Sequence, residues 1–220
     1  IQSNMGNGNL TMVYRAKNGQ EATAGLDLDM EDVKVEKLIA LFPSIDTLVP
    51  MLRSFEGVLD CQVTATCKMD STMSLIMPSI NSSCYLHGNN MVLLDGETFT
   101  EISKTLMFKN KKRNMIDSIS VDLAIKDNKI EVFPFLVEMD RYKVAVGGTH
   151  NLDMTFNYHL SVLKSPVPFK LGIDITGNLD DFKYKIPKCK YKDIFKPAKQ
   201  AEMDSKRKNI RKDIRDPRRK

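Results

Sequence analysis

"YKVAVGGTHNLDMTFNYHLSV", residues 142–162, decides how the chain folds. Its even positions carry Tyr142, Val144, Val146, Gly148, His150, Leu152, Met154, Phe156, Tyr158, Leu160 and Val162. Its odd positions are mostly polar: Lys143, Thr149, Asn151, Asp153, Thr155, Asn157, His159 and Ser161. A period of two is the signature of a strand with one face in the core and one in water. The stretch predicts two long strands, with Gly147-Gly148 as a bulge, a bend or the tip of a hairpin.

The same alternation recurs on both sides of it. Leu10, Met12, Tyr14 and Ala16 share one parity, and so do Ala22, Ala24, Leu26 and Leu28, with Asn18-Gly19 as a hairpin turn between them. Cys61, Val63, Ala65, Cys67 and Met69 form another apolar row. A strand pair is expected around His87-Gly88-Asn89-Asn90, and a hairpin about Asp127-Asn128 follows Ile119, Val121, Leu123 and Ile125. "FPFLVEM" is apolar on both sides, and its Pro134 marks an edge or a bulge. The apolar row resumes in Phe169, Leu171, Ile173 and Ile175.

Three segments read as helices. Val35, Leu38, Ile39 and Phe42 fall on one helical face, which predicts a helix over about 31–42 that Pro43 stops. A second, over about 44–55, would complete a helical hairpin ending at Gly57. A third short helix is predicted over about 98–107, from Phe99, Ile102 and Leu106. The expected fold class is therefore mainly β (α+β): a long curved antiparallel sheet, an N-terminal helical hairpin and one further short helix. Residues 1–9 read as a loose entry, 10–195 as a single β-rich domain and 196–220 as a basic tail.

Charge is unevenly spread. The chain carries +5, yet from Lys196 onward eleven Lys/Arg face four Asp/Glu, so the remaining body is close to neutral. No array of basic and aromatic residues runs across the body, which argues against a nucleic-acid partner. The tail has too few apolar residues to bury a core and reads as a solvated terminus. No apolar run approaches the roughly 20 residues that span a bilayer. Residue 1 is Ile, and the chain is expected to be a piece of a longer one.

The polar residues do not assemble a reaction centre by spacing. Parity sets His159 on the polar face with Asp153 and Asn157. It sets His150 on the apolar face, provided the two glycines do not flip it. Asp140 and Arg141 point to opposite sides. Nothing in this pattern places a nucleophile, a base and an orienting group together, so the histidines are expected to be hydrogen-bonded or solvated strand residues and the protein not to be an enzyme. "GNGNL" has no strand before it or helix after it, and "DGETFTE" fits a turn into a helix better than a calcium loop. Cys61, Cys67, Cys84 and Cys189 form no CxxC pair, and no metal or cofactor is expected. Cys61 and Cys67 would lie about 20 Å apart along one strand. Either can meet Cys84 from a neighbouring strand, though buried free thiols are the preferred reading.

A sheet face this long must be covered by a second sheet, by helices or by something other than protein. A curved sheet holding an acyl chain is one physically sensible outcome.

Residues 116–186, "IDSISVDLAIKDNKIEVFPFLVEMDRYKVAVGGTHNLDMTFNYHLSVLKSPVPFKLGIDITGNLDDFKYKI", resemble the C-terminal region of AsmA-like proteins in the form found in Bacteroidetes. The marks are N-x-I-x-V-x-P, D-R-Y-x-x-x-V-x-G, N-L-D-M-x-F-x-Y-H, S-P-x-P-F-x-L-G-I and a closing G-x-x-D-D-F. Upstream, "LDLDMEDVKVEKLIALFPSI" is similar to that family's helical element after a strand, so the resemblance spans roughly residues 8–190. It implies a periplasmic domain held by an inner-membrane anchor upstream, a link to outer-membrane assembly and to envelope partners, and an architecture like that of bridge-like lipid transfer proteins. It brings no catalytic residues. Its working part would be the apolar sheet face, with Tyr142, Val144, Val146, Leu152, Met154, Phe156, Tyr158 and Leu160 as the candidates for contact with phospholipid or another acyl chain. The basic tail departs from the family pattern; contact with anionic headgroups is the alternative to a solvated end.

Overall fold

The computed structural model describes residues 2–3, 6–16, 22–41, 50–94, 113–139, 141–153, 155–166, 170–178, 181–194 and 196–215. The elements are β1 (Gln2–Ser3), β2 (Gly6–Arg15), β3 (Ala22–Lys34), α1 (Val35–Leu41), a 3₁₀ turn (Pro50–Ser54), β4 (Phe55–Met69), β5 (Leu75–Leu94), β6 (Arg113–Lys126), β7 (Lys129–Met139), β8 (Tyr142–Asn151), β9 (Phe156–Lys164), β10 (Leu171–Gly177), β11 (Phe182–Lys185) and α2 (Pro197–Arg215). The eleven strands form one open antiparallel sheet in chain order, β1 to β11. Every pairing is therefore between sequence neighbours, and most strands reach their partner by a short connection, residues 35–54 and 95–112 being the longer ones.

Directly opposed residues in an antiparallel ladder point to the same face. The register links one apolar row across the whole sheet. Leu10 faces Leu28, Leu28 faces Val63, Val63 faces Cys84 and Cys84 faces Leu123. Leu123 faces Val132, Val146 faces Leu160, Leu160 faces Ile173 and Ile175 faces Tyr184. This is called the inner face. The other parity carries Thr11, Asp27, Thr64, Ser83, Glu131, Thr149, Asn157, His159, Asp174 and Lys185, the outer face.

Two clusters organise the inner face. At one end α1 and the 3₁₀ turn bring Val35, Leu38 and Leu52 onto Leu59, Cys61, Leu86, Ile119 and Met139. Nearer the other end Ile80, Leu123, Ile125, Ile130 and Val132 pack together, with Cys67 of β4 and Tyr158 of β9 against them. The second cluster draws its side chains from β4 to β9 along one face of the sheet.

Several expectations are corrected. The N-terminal helical hairpin is not formed: β3 runs to Lys34, α1 covers only Val35–Leu41, Pro50–Ser54 is a 3₁₀ turn and Phe55 already belongs to β4. The ladder accounts for this. Val33 and Lys34 pair with Leu59 and Val58 after a bulge at Met30/Val33, where Asp32 has φ 56°. Strand hydrogen bonds and burial outweigh the marginal propensity of a short helix. Residues 44–49 and the helix expected over 98–107 lie outside the described residues, as does the Asn18-Gly19 turn. The entry expected to be loose contains Gln2–Ser3 paired with Gly6–Asn7, and β2 begins at Gly6. The turn expected at residues 87–90 is absent too. β5 runs straight through it for 20 residues, and Asn90 takes φ 52° inside the strand. Opposite that kink, Gly57 has φ 146°, and a Cβ there would fall 2.7 Å from Met91 Sδ, so the strand bends around a buried methionine.

Other expectations are met. Asp127 and Asn128 both take left-handed φ, 52° and 62°, as a two-residue hairpin turn requires. Pro134 sits in a bulge between Val132 and Phe135. One expectation is not met: Gly147-Gly148 is neither bulge nor tip, since both lie in the regular ladder of β8, and the chain turns after Asn151, where Asp153 Oδ1 accepts the Thr155 amide at 2.9 Å. The four cysteines form no disulfide, and Cys84 lies opposite Val63 rather than Cys61 or Cys67.

The basic C-terminal segment is ordered as a helix. Pro197 occupies the first helical position, where its missing N–H costs nothing. Lys206 Nζ lies 2.7 Å from Glu131 Oε1 and 5.1 Å above the Phe133 ring, and Ile214 is buried. α2 also lies against β5 and β4. Its remaining described side chains are mostly exposed. Among the described residues no helix is long and apolar enough to cross a membrane.

Candidate functional site

The two histidines of the 142–162 stretch stand on opposite faces, and each heads a different arrangement. His159 is on the outer face and is buried, 3% exposed. Its Nδ1 is 2.5 Å from Asp174 Oδ1, directly across the β9–β10 ladder. Its Nε2 is 2.9 Å from Ser161 Oγ, two residues along the same face, and accepts the Lys190 amide at 3.1 Å. Ser161 Oγ in turn accepts the Tyr191 amide at 2.9 Å, and Lys190 Nζ donates to Asp174 Oδ1 at 2.8 Å. Burial raises the Asp174 pKa, but the hydrogen bonds from Lys190 and His159 outweigh it and hold the carboxyl below its ordinary range.

Serine, histidine and aspartate here have the distances of a nucleophilic relay. The setting is different. Ser161 is 0% exposed and its oxygen is already occupied by a backbone amide, so nothing reaches it. With Nδ1–H donating to Asp174, both ring nitrogens of His159 and the Ser161 hydroxyl find partners. What the set holds is the strap, residues 186–194, laid across the outer face of β8–β10. The Tyr191 ring stands edge-on to His159 at 5.2 Å, and a Cβ on Gly147 would fall 3.0 Å from Tyr191 Oη and 2.9 Å from Pro134 Cα. Gly147 is thus needed where strap and bulge both approach the strand. Parity placed His159 correctly; Ser161 is visible at i+2, but Asp174 enters only through the register.

The inner face holds an open apolar cleft with a cavity volume of about 90 Å³. Leu59, Leu86, Ile119, Val132, Val146 and Tyr158 line it, one from each of β4 to β9, and Leu52 and Phe55 close one end. Of the residues expected to contact lipid, Val146 and Tyr158 line the cleft. Tyr142 and Val144 are buried in the core, and Leu152 packs against the Ile130 cluster. Phe156 and Leu160 are half-buried on the same face, and Met154 and Asp140 lie outside the described residues. Most of the lining thus comes from strands whose apolar rows were legible but whose alignment was not.

His150 is on the inner face, as unbroken parity requires, and Nδ1 lies 2.7 Å from Tyr158 Oη. Among the described residues no three His, Cys, Asp or Glu side chains gather as metal ligands do. Compared with known protein families, curated proteins and solved structures, the chain shows no match.

Proposed function

We propose that the chain is a non-enzymatic module of a cell-envelope protein similar to the AsmA-like family, which contacts phospholipid or another acyl chain through its inner sheet face and contributes to outer-membrane assembly and lipid transport. The module would stand in the periplasm, carried by an inner-membrane anchor elsewhere in the full protein. The observation that carries the reading is the apolar face running from Leu10 to Tyr184 with a cleft on it, while the strap and α2 lie over the opposite, polar face. An acyl chain needs only length and apolarity from its host. The test is gentle extraction of the purified chain followed by mass spectrometry of the organic phase. Copurifying lipid in the parent, lost when Leu86 and Val132 are both replaced by Asp, is the expected result. Lipid-free protein that also fails to take up acyl chains added as vesicles would sink the reading.

One observation favours a second reading, a protein-interaction module of the envelope. β1 pairs only with the first residues of β2, and beyond them Leu10, Met12, Val13 and Tyr14 are between 47 and 68% exposed along an edge strand. Such an edge accepts an added strand. Replacing Met12 with Lys would then abolish capture of an envelope partner without changing lipid content.

A further inference from the structure

The walls of the cleft are hydrocarbon except at His87 and where Tyr158 and His150 meet. Gly148 lies directly opposite Tyr158 in the β8–β9 ladder. A Cβ on Gly148 would fall 2.7 Å from Tyr158 Cδ1, so the ring lies over the glycine and its hydroxyl reaches the next inner-face residue, His150. His150 is 5% exposed and still borders the cleft, as does Tyr158. The Phe156 ring braces the phenol from the other side, with centroids 6.1 Å apart. Burial pushes the Tyr158 hydroxyl up to about 12, so it keeps its proton at any ordinary pH. His87 also borders the cleft, but its Nδ1 is 2.8 Å from Ser120 Oγ, and both residues have outer-face parity.

A hydrogen-bonding pair in an otherwise apolar wall is a poor choice for packing alone, because burying a hydroxyl and an imidazole costs free energy that a Phe–Leu pair would not. It suits a ligand that is hydrocarbon along most of its length and carries oxygen at one point. We propose that Tyr158 and His150 seat the carbonyl or carboxyl oxygen of an acyl chain, with the hydrocarbon running past Val132, Phe135, Val121 and Leu86. The proposal rests on the acyl-binding reading above and adds what the cleft recognises. Gly148 is the positioning residue, since any side chain there displaces the phenol.

Three fluorescent probes test it on the delipidated full chain: cis-parinaric acid, its methyl ester, and diphenylhexatriene, which is apolar and carries no oxygen. Tyr158→Phe keeps the ring and removes the hydroxyl. It is expected to weaken the acid or the ester about tenfold, the loss of one buried hydrogen bond, and to leave diphenylhexatriene unchanged, which also shows that the cleft is intact. Loss on the acid arm identifies a free fatty acid as the source of the oxygen; loss on the ester arm identifies an esterified lipid. If Tyr158→Phe binds all three probes as the parent does, or loses all three equally, the seat is overturned while the acyl groove stands. If the parent binds none of them, the groove reading falls and takes the seat with it.

Discussion

Ser161→Ala removes one oxygen from a site closed to water. In the parent, Ser161 Oγ accepts the Tyr191 amide at 2.9 Å and lies 2.9 Å from His159 Nε2, and the residue is 0% exposed. His159 keeps the Lys190 amide after the substitution, so the group left without its acceptor is the Tyr191 N–H. Leaving a buried donor unmade costs about 1–3 kcal/mol, against only about 0.5–1.5 kcal/mol for a typical net hydrogen bond. The cost falls first on the strap, which is held at Pro187, Lys190 and Tyr191 by hydrogen bonds to β9 and β10. Amide exchange read by NMR is the assay. Protection at Lys190 and Tyr191 should fall about 5- to 150-fold in Ser161→Ala, the range that 1–3 kcal/mol implies, while Ser118→Ala, an exposed serine on the same sheet, should stay within about 0.5 kcal/mol of the parent in urea unfolding. Unchanged protection at Tyr191 would refute the claim that the serine–histidine–aspartate set holds the strap.

Asp174 is held below the ordinary carboxylate value of 3.8, burial opposing and the Lys190 and His159 hydrogen bonds prevailing. The unfolded chain therefore takes up that proton first as pH falls. The stability Asp174 contributes is full above 3.8 and is lost as pH drops through the lower folded value. Acid titration of Asp174→Asn should show this part of the pH dependence flattened, with no change near neutrality in its slope. Gly148→Ala would set a Cβ 2.4 Å from Asn157 O and 2.7 Å from Tyr158 Cα, backbone atoms that cannot swing aside; a loss of about 1–3 kcal/mol in urea unfolding is expected. Ile130→Ala empties a fully buried position in the Leu123–Val132 cluster and should cost about 2–5 kcal/mol by the same measurement.

Local patterns in the chain were informative wherever the period of two was unbroken. Residues 142–162 announced β8 and β9, Asp127-Asn128 announced a hairpin, and His150 and His159 were assigned to the correct faces. The readings that failed were those in which a local signal competed with the ladder. Gly88-Asn89-Asn90 has turn composition, yet β4 and β6 pair on either side of it and carry β5 through. Residues 31–34 sit in a helical pattern, yet Leu59 and Val58 claim Val33 and Lys34 for the sheet. Gly147 and Gly148 looked like a break because their use is steric: one admits Pro134 and Tyr191, the other the Tyr158 ring.

By itself the sequence determined that the chain is a strand meander with one apolar and one polar face, because the side-chain period of a strand is a local property set by the pleat. It determined also that the histidines belong to opposite faces. Only the tertiary structure decided which residues meet. Register brings Asp174 to His159, and sets Leu86, Val132 and Tyr158 along one cleft. It also decided that a tail with almost no apolar residues lies on the sheet. The anchors of the tail and of the strap before it, Lys206 on Glu131 and Phe133 and the strap amides on Ser161 and His159, join residues 30 to 75 positions apart, a distance no periodicity can span.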